Sequence, residues 1–283
     1  MFIILGATGH VGSATADVLL EAGEPVTVVT RSEDKAAQWR ARGAEAAVVD
    51  VCDTPALKAL FGPGRRAFLL NPPAAPDSDT DAREHATLAA IMAAIDGSGL
   101  DKVVLESTYG AQPGDAIGDL SVLYDFERAL AAQPIPHAIQ RAAFYMSNWA
   151  MYFDAAKAGM IETVYPEDFA MPMVAPADLG QNAARLLREP PGAPVLDWVE
   201  GPARYTSRDV ADAFARALGT PVALTVISRD RWEASYRNLG FSPEAAAAYT
   251  RMAEMTVGQP AWPEDPVRGT TTLDDYLAAL VNG

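Results

Sequence analysis

Three glycines spaced three apart, Gly6, Gly9 and Gly12, sit in "IILGATGHVGSATADVLLEAG", residues 3 to 23. They separate an apolar run expected as a strand, Phe2 to Leu5, from a periodic run expected as a helix, Ser13 to Ala22. In that setting each glycine has a use. Gly6 can turn sharply, Gly9 can admit a pyrophosphate to the backbone, and Gly12 can let the helix lie against the sheet. Ala7, Thr8, His10 and Val11 share the turn, whose free N–H groups would face the anion. The spacing differs from the commoner G-x-G-x-x-G, and a glycine-rich turn without a ligand is the competing reading.

A second chemical position closes the next β-branched run, "EPVTVVTR" (24–31). In a dinucleotide fold an acid there takes the ribose 2'-hydroxyl of NAD, whereas an arginine takes the 2'-phosphate of NADP. The residues are Thr30, Arg31 and Ser32, with Lys35 one turn further on, which favours NADP(H). The alternative is that Arg31 and Lys35 are solvated charges near Glu33 and Asp34. Asn71, Pro72 and Pro73 end another expected strand and should border the same ligand, because open α/β sheets bind in the crevice beyond their strand ends. Tyr109, Phe144, Tyr145, Met146, Asn148 and Trp149 could wall a flat apolar acceptor; core packing at helical spacing explains them equally well.

The elements that must hold these residues alternate. After the second strand come a helix over 32–43 with a serine start and a glycine stop, and a strand over 44–53. "PALKALFG" follows as helix, "RRAFLLNPP" as strand, "DAREHATLAAIMAAIDGSG" as helix, "DKVVLEST" as strand, "LSVLYDFERALAAQ" as helix and "PHAIQR" as strand. Such alternation implies right-handed crossovers and a doubly wound parallel sheet, the Rossmann α/β class, covered on both faces. Past Ala143 the rhythm changes to an aromatic helix, "FYMSNWAMYFDAAKAG", a Pro/Met segment over 165–176, and helices separated by one clear strand, "PVALTVIS". Residues 1–150 therefore read as the dinucleotide unit and 151–283 as a smaller, mainly helical substrate portion. The two are interleaved if "PVLDWVEG" (194–201) returns to the main sheet. Near the end Thr271 or Thr272 should cap a short amphipathic helix, packed on the substrate side or across a homodimer interface.

Composition excludes several classes. With 37 acidic against 22 basic residues, the formal charge of −15 repels polyanions and argues against nucleic-acid binding. The three histidines, His10, His85 and His137, lack metal-ligand spacing, and Cys52 alone supports no internal disulfide and reads as a buried thiol. No apolar run approaches the ~18 residues of a membrane span, and the chain opens on a strand without a basic leader. The expectation is a cytoplasmic protein acting on a small molecule, with no membrane partner.

"GATGHVG", "TRSEDKA", "VVDVCDTPAL", "LLNPP", "VVLEST" and "AIQRAAFYMSNW" occur in an order that resembles the NmrA-like, atypical branch of the short-chain dehydrogenase/reductase superfamily, across essentially the whole chain. The resemblance implies that Asp50 and Val51 border the adenine, since Asp50 and Asp53 match the two acids of a G-D-x-x-D signature, with Val49 in place of its glycine. Arg141, Tyr145 and Asn148 match R-P-x-x-F-x-x-N, with Ala142 in place of its proline. The wider superfamily places a serine at the end of strand five, a tyrosine proton donor and a lysine four residues later. Here those places hold Ser107, beside Thr108, and Tyr124 followed by Arg128. Arginine keeps its proton and fits the lysine position poorly, so Tyr124 has packing as its alternative role. The resemblance puts Glu127 and Arg128 on the outer part of their helix.

That family includes reductases of quinones and other small molecules as well as proteins that bind the dinucleotide to sense redox state. The leading expectation is an NADP(H)-dependent reductase of quinone-like or carbonyl compounds; the alternative is a non-catalytic NADP(H) sensor that regulates a protein partner. Hydride transfer to a quinone needs orientation over the nicotinamide and a proton from water, so a missing tyrosine–lysine pair leaves both open.

Overall fold

Strands without polar alternation belong between two covering layers. The first strand is such a case: Phe2 and Ile4 enter one core, Ile3 and Leu5 the other. The computed structural model describes residues 1–258 and 262–283. In chain order its first elements are β1 (Phe2–Ile4), α1 (His10–Glu21), β2 (Val26–Thr30), α2 (Glu33–Ala41), β3 (Glu45–Val48), α3 (Thr54–Leu60), β4 (Arg66–Leu69), α4 (Thr80–Ile95), β5 (Lys102–Thr108), α5 (Asp119–Ala131) and β6 (His137–Ala142). There follow β7 (Phe144–Tyr145), α6 (Phe153–Lys157), β8 (Met160–Thr163), β9 (Met171–Val174), α7 (Pro176–Arg188), β10 (Val195–Glu200), β11 (Arg204–Tyr205), α8 (Ser207–Leu218), β12 (Ala223–Val226), α9 (Trp232–Asn238), α10 (Pro243–Val257), β13 (Val267–Arg268) and α11 (Leu273–Asn282).

Eight strands form one sheet in the order β13-β10-β6-β5-β4-β1-β2-β3, and all its pairings are parallel. It is a doubly wound Rossmann-type sheet, with α1, α2 and α7 on one face and α3, α4 and α5 on the other. The strand order reverses at β1, which lies between β2 and β4. The crevice beyond the carboxyl ends of β1 and β4 is thus the topological switch point at which such sheets bind ligands.

The chain beyond residue 150 contributes to both regions. Helix α7 packs against α1, and β10 and β13 extend the central sheet beyond β6. The remainder is less helical than the sequence suggests. It holds a three-stranded sheet, β11-β9-β7, and a two-stranded one, β12-β8. The expected aromatic helix over 144–159 is replaced by β7, a 3-10 helix over Met146–Tyr152, and the short α6. In a 3-10 helix residues three apart share a face, which is how Met146 and Trp149 enter a third core together with Phe214 and Leu277. The Pro/Met segment supplies β9, whose four residues are all buried. Thr272 caps α11, which packs on α8 of the same chain. No helix of the described residues is long and apolar enough to cross a membrane.

Helices α9 and α10 form a roof over the strand ends. Ser242, at the start of α10, donates from its N–H to the Pro76 carbonyl and from Oγ to the Ser78 carbonyl, both at 2.8 Å. Further along α10, Arg251 Nε reaches the Ala116 carbonyl at 2.8 Å. The roof is therefore tied to the loops that follow β4 and β5.

Candidate functional site

The glycine turn at the end of β1 is built as its residues require. Gly6 has φ +68°, the left-handed region that favours glycine. A Cβ on Gly12 would lie 2.4 Å from the Gly6 carbonyl oxygen, so that position tolerates no side chain. Helix α1 starts at His10, three residues before the expected Ser13, because Gly9 serves as its N-cap. No side chain caps it, which leaves the first-turn N–H groups free for a ligand's oxygens. Ala7 and Val11 are buried, whereas Thr8, Gly9 and His10 are exposed along the rim. Trp39 of α2 steadies the turn from beneath, its indole N–H donating to the Ala7 carbonyl at 3.2 Å.

Around the β2–α2 corner, the buried Thr30 accepts the Ser32 N–H on its hydroxyl, and Ser32 in turn caps α2 by accepting the Lys35 N–H. Arg31 and Lys35 are exposed, and neither has an ion-pair partner among the described residues; Glu33 pairs with Arg40 instead. The corner presents two uncommitted cations next to the glycine turn, a composition that fits a 2'-phosphate. Beyond β3, Asp50 accepts the Cys52 N–H at 2.9 Å and Asp53 caps α3 by accepting the Ala56 N–H at 3.0 Å, so both acids shape this loop. Val51 is half-buried against the α3–α4 core. Cys52 is exposed, not buried as its sequence suggests: β3 is the edge strand, and among the described residues no further strand covers the turn that follows it.

At the end of β4, Asn71 Nδ2 donates to the Glu84 carbonyl at 3.2 Å; Pro72 is half-buried and Pro73 exposed. At the end of β5, the hydroxyl of the buried Ser107 donates to Glu127 Oε1, and Thr108 Oγ1 donates to the Tyr109 carbonyl at 3.2 Å. The carboxylate of Glu127 also receives Arg141 on both oxygens, Nε at 2.7 Å and Nη2 at 2.6 Å. Glu127 thus points inward and is 7% exposed, contrary to the outer placement expected for it. Ser107 and Tyr124 are not brought together. Helix α5 offers Glu127 to Ser107, and Tyr124 is half-buried with no hydroxyl contact to Ser107 or Arg128 among the described residues.

The expected aromatic wall is divided. Met146 and Trp149 are fully buried core residues that line no open surface, because the 3-10 helix turns both inward. Tyr109 is also buried, its ring T-shaped against Trp198 at 5.0 Å and its hydroxyl 3.3 Å from Glu200 Oε2. Phe144 and Tyr145 remain half-buried and Asn148 is exposed. The Tyr145 hydroxyl donates to Glu106 Oε1 at 2.8 Å.

Sequence reasoning overlooked the buried carboxyls. Burial pushes Glu106 up to about 8, against the hydrogen bonds from Tyr145 and Gln140, so it is largely a neutral acid at pH 7. Burial first, and the neighbouring Asp119 second, push Glu84 up to about 7. An acid inside the apolar run of "VVLEST", and one on the same helical face as Leu88 and Ile91, were the available signals.

Residues 1–256 match the NmrA-like family. The chain belongs to the NmrA-like family. Among curated relatives it is 24% identical to the NAD(P)H azoreductase of Xenophilus azovorans over 254 residues, 87% of this chain and 84% of that one. Its fold is shared with the NADPH-dependent quinone oxidoreductase of Escherichia coli complexed with NADPH, at TM-score 0.81, 20% identity and 99% coverage of both chains. A triphenylmethane reductase from Citrobacter sp. has the same fold at TM-score 0.80 and 18% identity, with 100% of this chain and 99% of that one covered.

Proposed function

We propose that this NmrA-like protein is an NADP(H)-dependent reductase of quinone-like or small carbonyl compounds, with its dinucleotide in the crevice between β1 and β4. The observation that carries the proposal is the β2–α2 corner, where Arg31 and Lys35 stand exposed and unpaired among the described residues of a chain with net charge −15. Two cations kept free in so acidic a protein are suited to a phosphate. The names of the azoreductase and the quinone oxidoreductase, NAD(P)H- and NADPH-dependent respectively, support the same reading.

In this reading the uncapped start of α1 takes the pyrophosphate and Arg31 with Lys35 takes the 2'-phosphate. Asp50 and Val51 border the adenine, and Asn71, Pro72, Pro73, Ser107 and Thr108 border the nicotinamide half. The bound dinucleotide supplies a hydride. Phe144, Tyr145 and Asn148 offer the acceptor its surface, and the α9–α10 roof limits access of water. The reading also places the protein in the cytoplasm.

Calorimetric titration with NADPH and NADH tests the cofactor. A hydrogen bond to a charged group contributes about 1.5–3 kcal/mol, so Arg31→Ala should weaken NADPH binding roughly ten- to a hundredfold and leave NADH binding little changed. Equal loss for both nucleotides would refute the phosphate assignment. Consumption of NADPH with at least one member of a neutral quinone and aldehyde panel tests the activity. The separation of Ser107 from Tyr124, with arginine in the lysine position, favours a second reading, an NADP(H) sensor that regulates a protein partner. NADPH binding without turnover of any acceptor would favour that reading, and a partner affinity indifferent to NADPH and NADP+ would eliminate it.

A further inference from the structure

A recess of about 520 Å³ opens at the carboxyl edge of the sheet, where β10 and β13 end, and is lined by residues 202–204, residues 262–264 and Arg268. That volume falls within the ~300–1,000 Å³ typical of small-molecule sites. The parallel register sets Glu200 of β10 beside Arg268 of β13, and the turn after β10 returns Arg204 to the same carboxylate. Glu200 is fully buried, and both guanidinium groups meet its Oε1, Arg268 Nη1 at 2.5 Å and Arg204 Nε at 3.3 Å. The buried Tyr109 hydroxyl donates to Oε2 at 3.3 Å. Burial first, and the Glu200 charge second, push Tyr109 upward, so it stays a donor.

Two guanidinium charges thus share one carboxylate, and one positive charge stays unbalanced. Glu264 and Asp265 form no ion pair with either arginine among the described residues. Arg204 Nη2 donates to the Pro263 carbonyl at 3.1 Å, and Arg268 Nη1 to the Gly201 carbonyl at 3.2 Å. Arg204 Nη1, Arg268 Nε and Arg268 Nη2 have no acceptor among the described residues, and the two side chains are 33% and 45% exposed. Glu200 clamps both arginines, so little side-chain freedom is lost when their remaining donors meet a ligand.

We propose that this recess binds the carboxylate of a small aromatic acid, its oxygens on the free donors of Arg204 and Arg268 and its ring against Trp262. The planar guanidinium fork matches a carboxylate. Trp262 is half-buried, with the Tyr109 and Phe169 rings each 6.3 Å away, so its ring is held in place as an apolar wall. One unbalanced charge suits a monoanion, and the exposed Glu264 on the wall of the recess disfavours a dianion such as phosphate. The site is separate from the dinucleotide crevice and does not depend on the reductase reading. Along the sheet edge β10 lies three strands from β4, roughly 14 Å at about 4.8 Å per strand.

Calorimetric titration of the whole protein near pH 7 with 2-naphthoate and with its uncharged amide, 2-naphthamide, tests the site. The acid should bind roughly tenfold or more tightly than the amide, the scale of a hydrogen bond to a charged group. Arg268→Gln leaves Glu200 its contacts with Arg204 and Tyr109, and should weaken the acid roughly ten- to a hundredfold while changing the amide little. Glu264→Gln removes the opposing charge and should tighten the acid about twofold or more. Saturating NADPH should not displace it. Equal affinity for acid and amide, no binding of the acid, or its displacement by NADPH overturns the proposal. Should Arg268→Gln fail to fold, an unchanged affinity in Glu264→Gln overturns it alone.

Discussion

Removing Glu127 should be costly in a way that a second substitution can repair. Its carboxylate and the Arg141 guanidinium form a bidentate pair whose side chains are 9% and 14% exposed. The Ser107 hydroxyl donates to the same carboxylate, and the Trp198 ring lies 4.8 Å from the guanidinium carbon. Breaking a buried pair by removing one partner costs about 3–5 kcal/mol, because the other charge stays buried without its counterpart. Glu127→Leu preserves most of the side-chain volume while stranding Arg141, with the Trp198 face offsetting about 0.5–2 kcal/mol at most. At roughly 2 °C per kcal/mol for a chain of this size, the midpoint should fall by roughly 6–10 °C. Replacing both partners removes the stranded charge, so Glu127→Leu combined with Arg141→Met should recover at least half of the loss. Ser107, deprived of its acceptor, accounts for about 1–3 kcal/mol of the remainder. Urea titration of both single variants and the double variant, followed by tryptophan fluorescence, measures the coupling. Strictly additive losses, or a Glu127→Leu cost below about 1 kcal/mol, would refute the claim that this pair acts as a buried unit.

Gly12→Ala should disrupt the turn at the end of β1, since its methyl would meet the Gly6 carbonyl oxygen at 2.4 Å. The expected cost is about 1–3 kcal/mol of stability, with at least tenfold weaker NADPH binding by calorimetry; unchanged binding would show that the turn does not shape the site. Glu106 links stability to pH. Its acid rises from 4.5 unfolded to about 8 folded, so its contribution is complete below the unfolded value and is lost as pH rises through the folded one. Glu106→Gln should therefore flatten the change in urea midpoint between pH 5 and 8 and leave the variant the more stable protein at pH 8; a wild-type slope in the variant would rule this out.

The parts of the fold legible in the sequence are those set by near neighbours along the chain. Strand–helix alternation is one, because β-branched runs and 3.6-residue periodicity act within a few residues. Ser32 caps α2, and the glycines form a turn whose steric demands arise within seven residues. The aromatic segment after Ala143 misled for a related reason: its apolar spacing fits either an α-helix or a 3-10 helix, and the pairing of β7 with β9, nearly 30 residues further on, selects the latter.

The sequence alone therefore determined the Rossmann sheet, the glycine turn and the placement of Arg31, each through local sterics and hydrophobic period. The burial of these acids was decided only by tertiary structure. Glu127 faces inward because Arg141 and Ser107 converge on it from two strands, and Glu84 is buried because α4 and α5 cover the same face of the sheet. A carboxyl's charge state depends on the water that burial removes and on charges brought near by folding, and neither is encoded in its sequence neighbours.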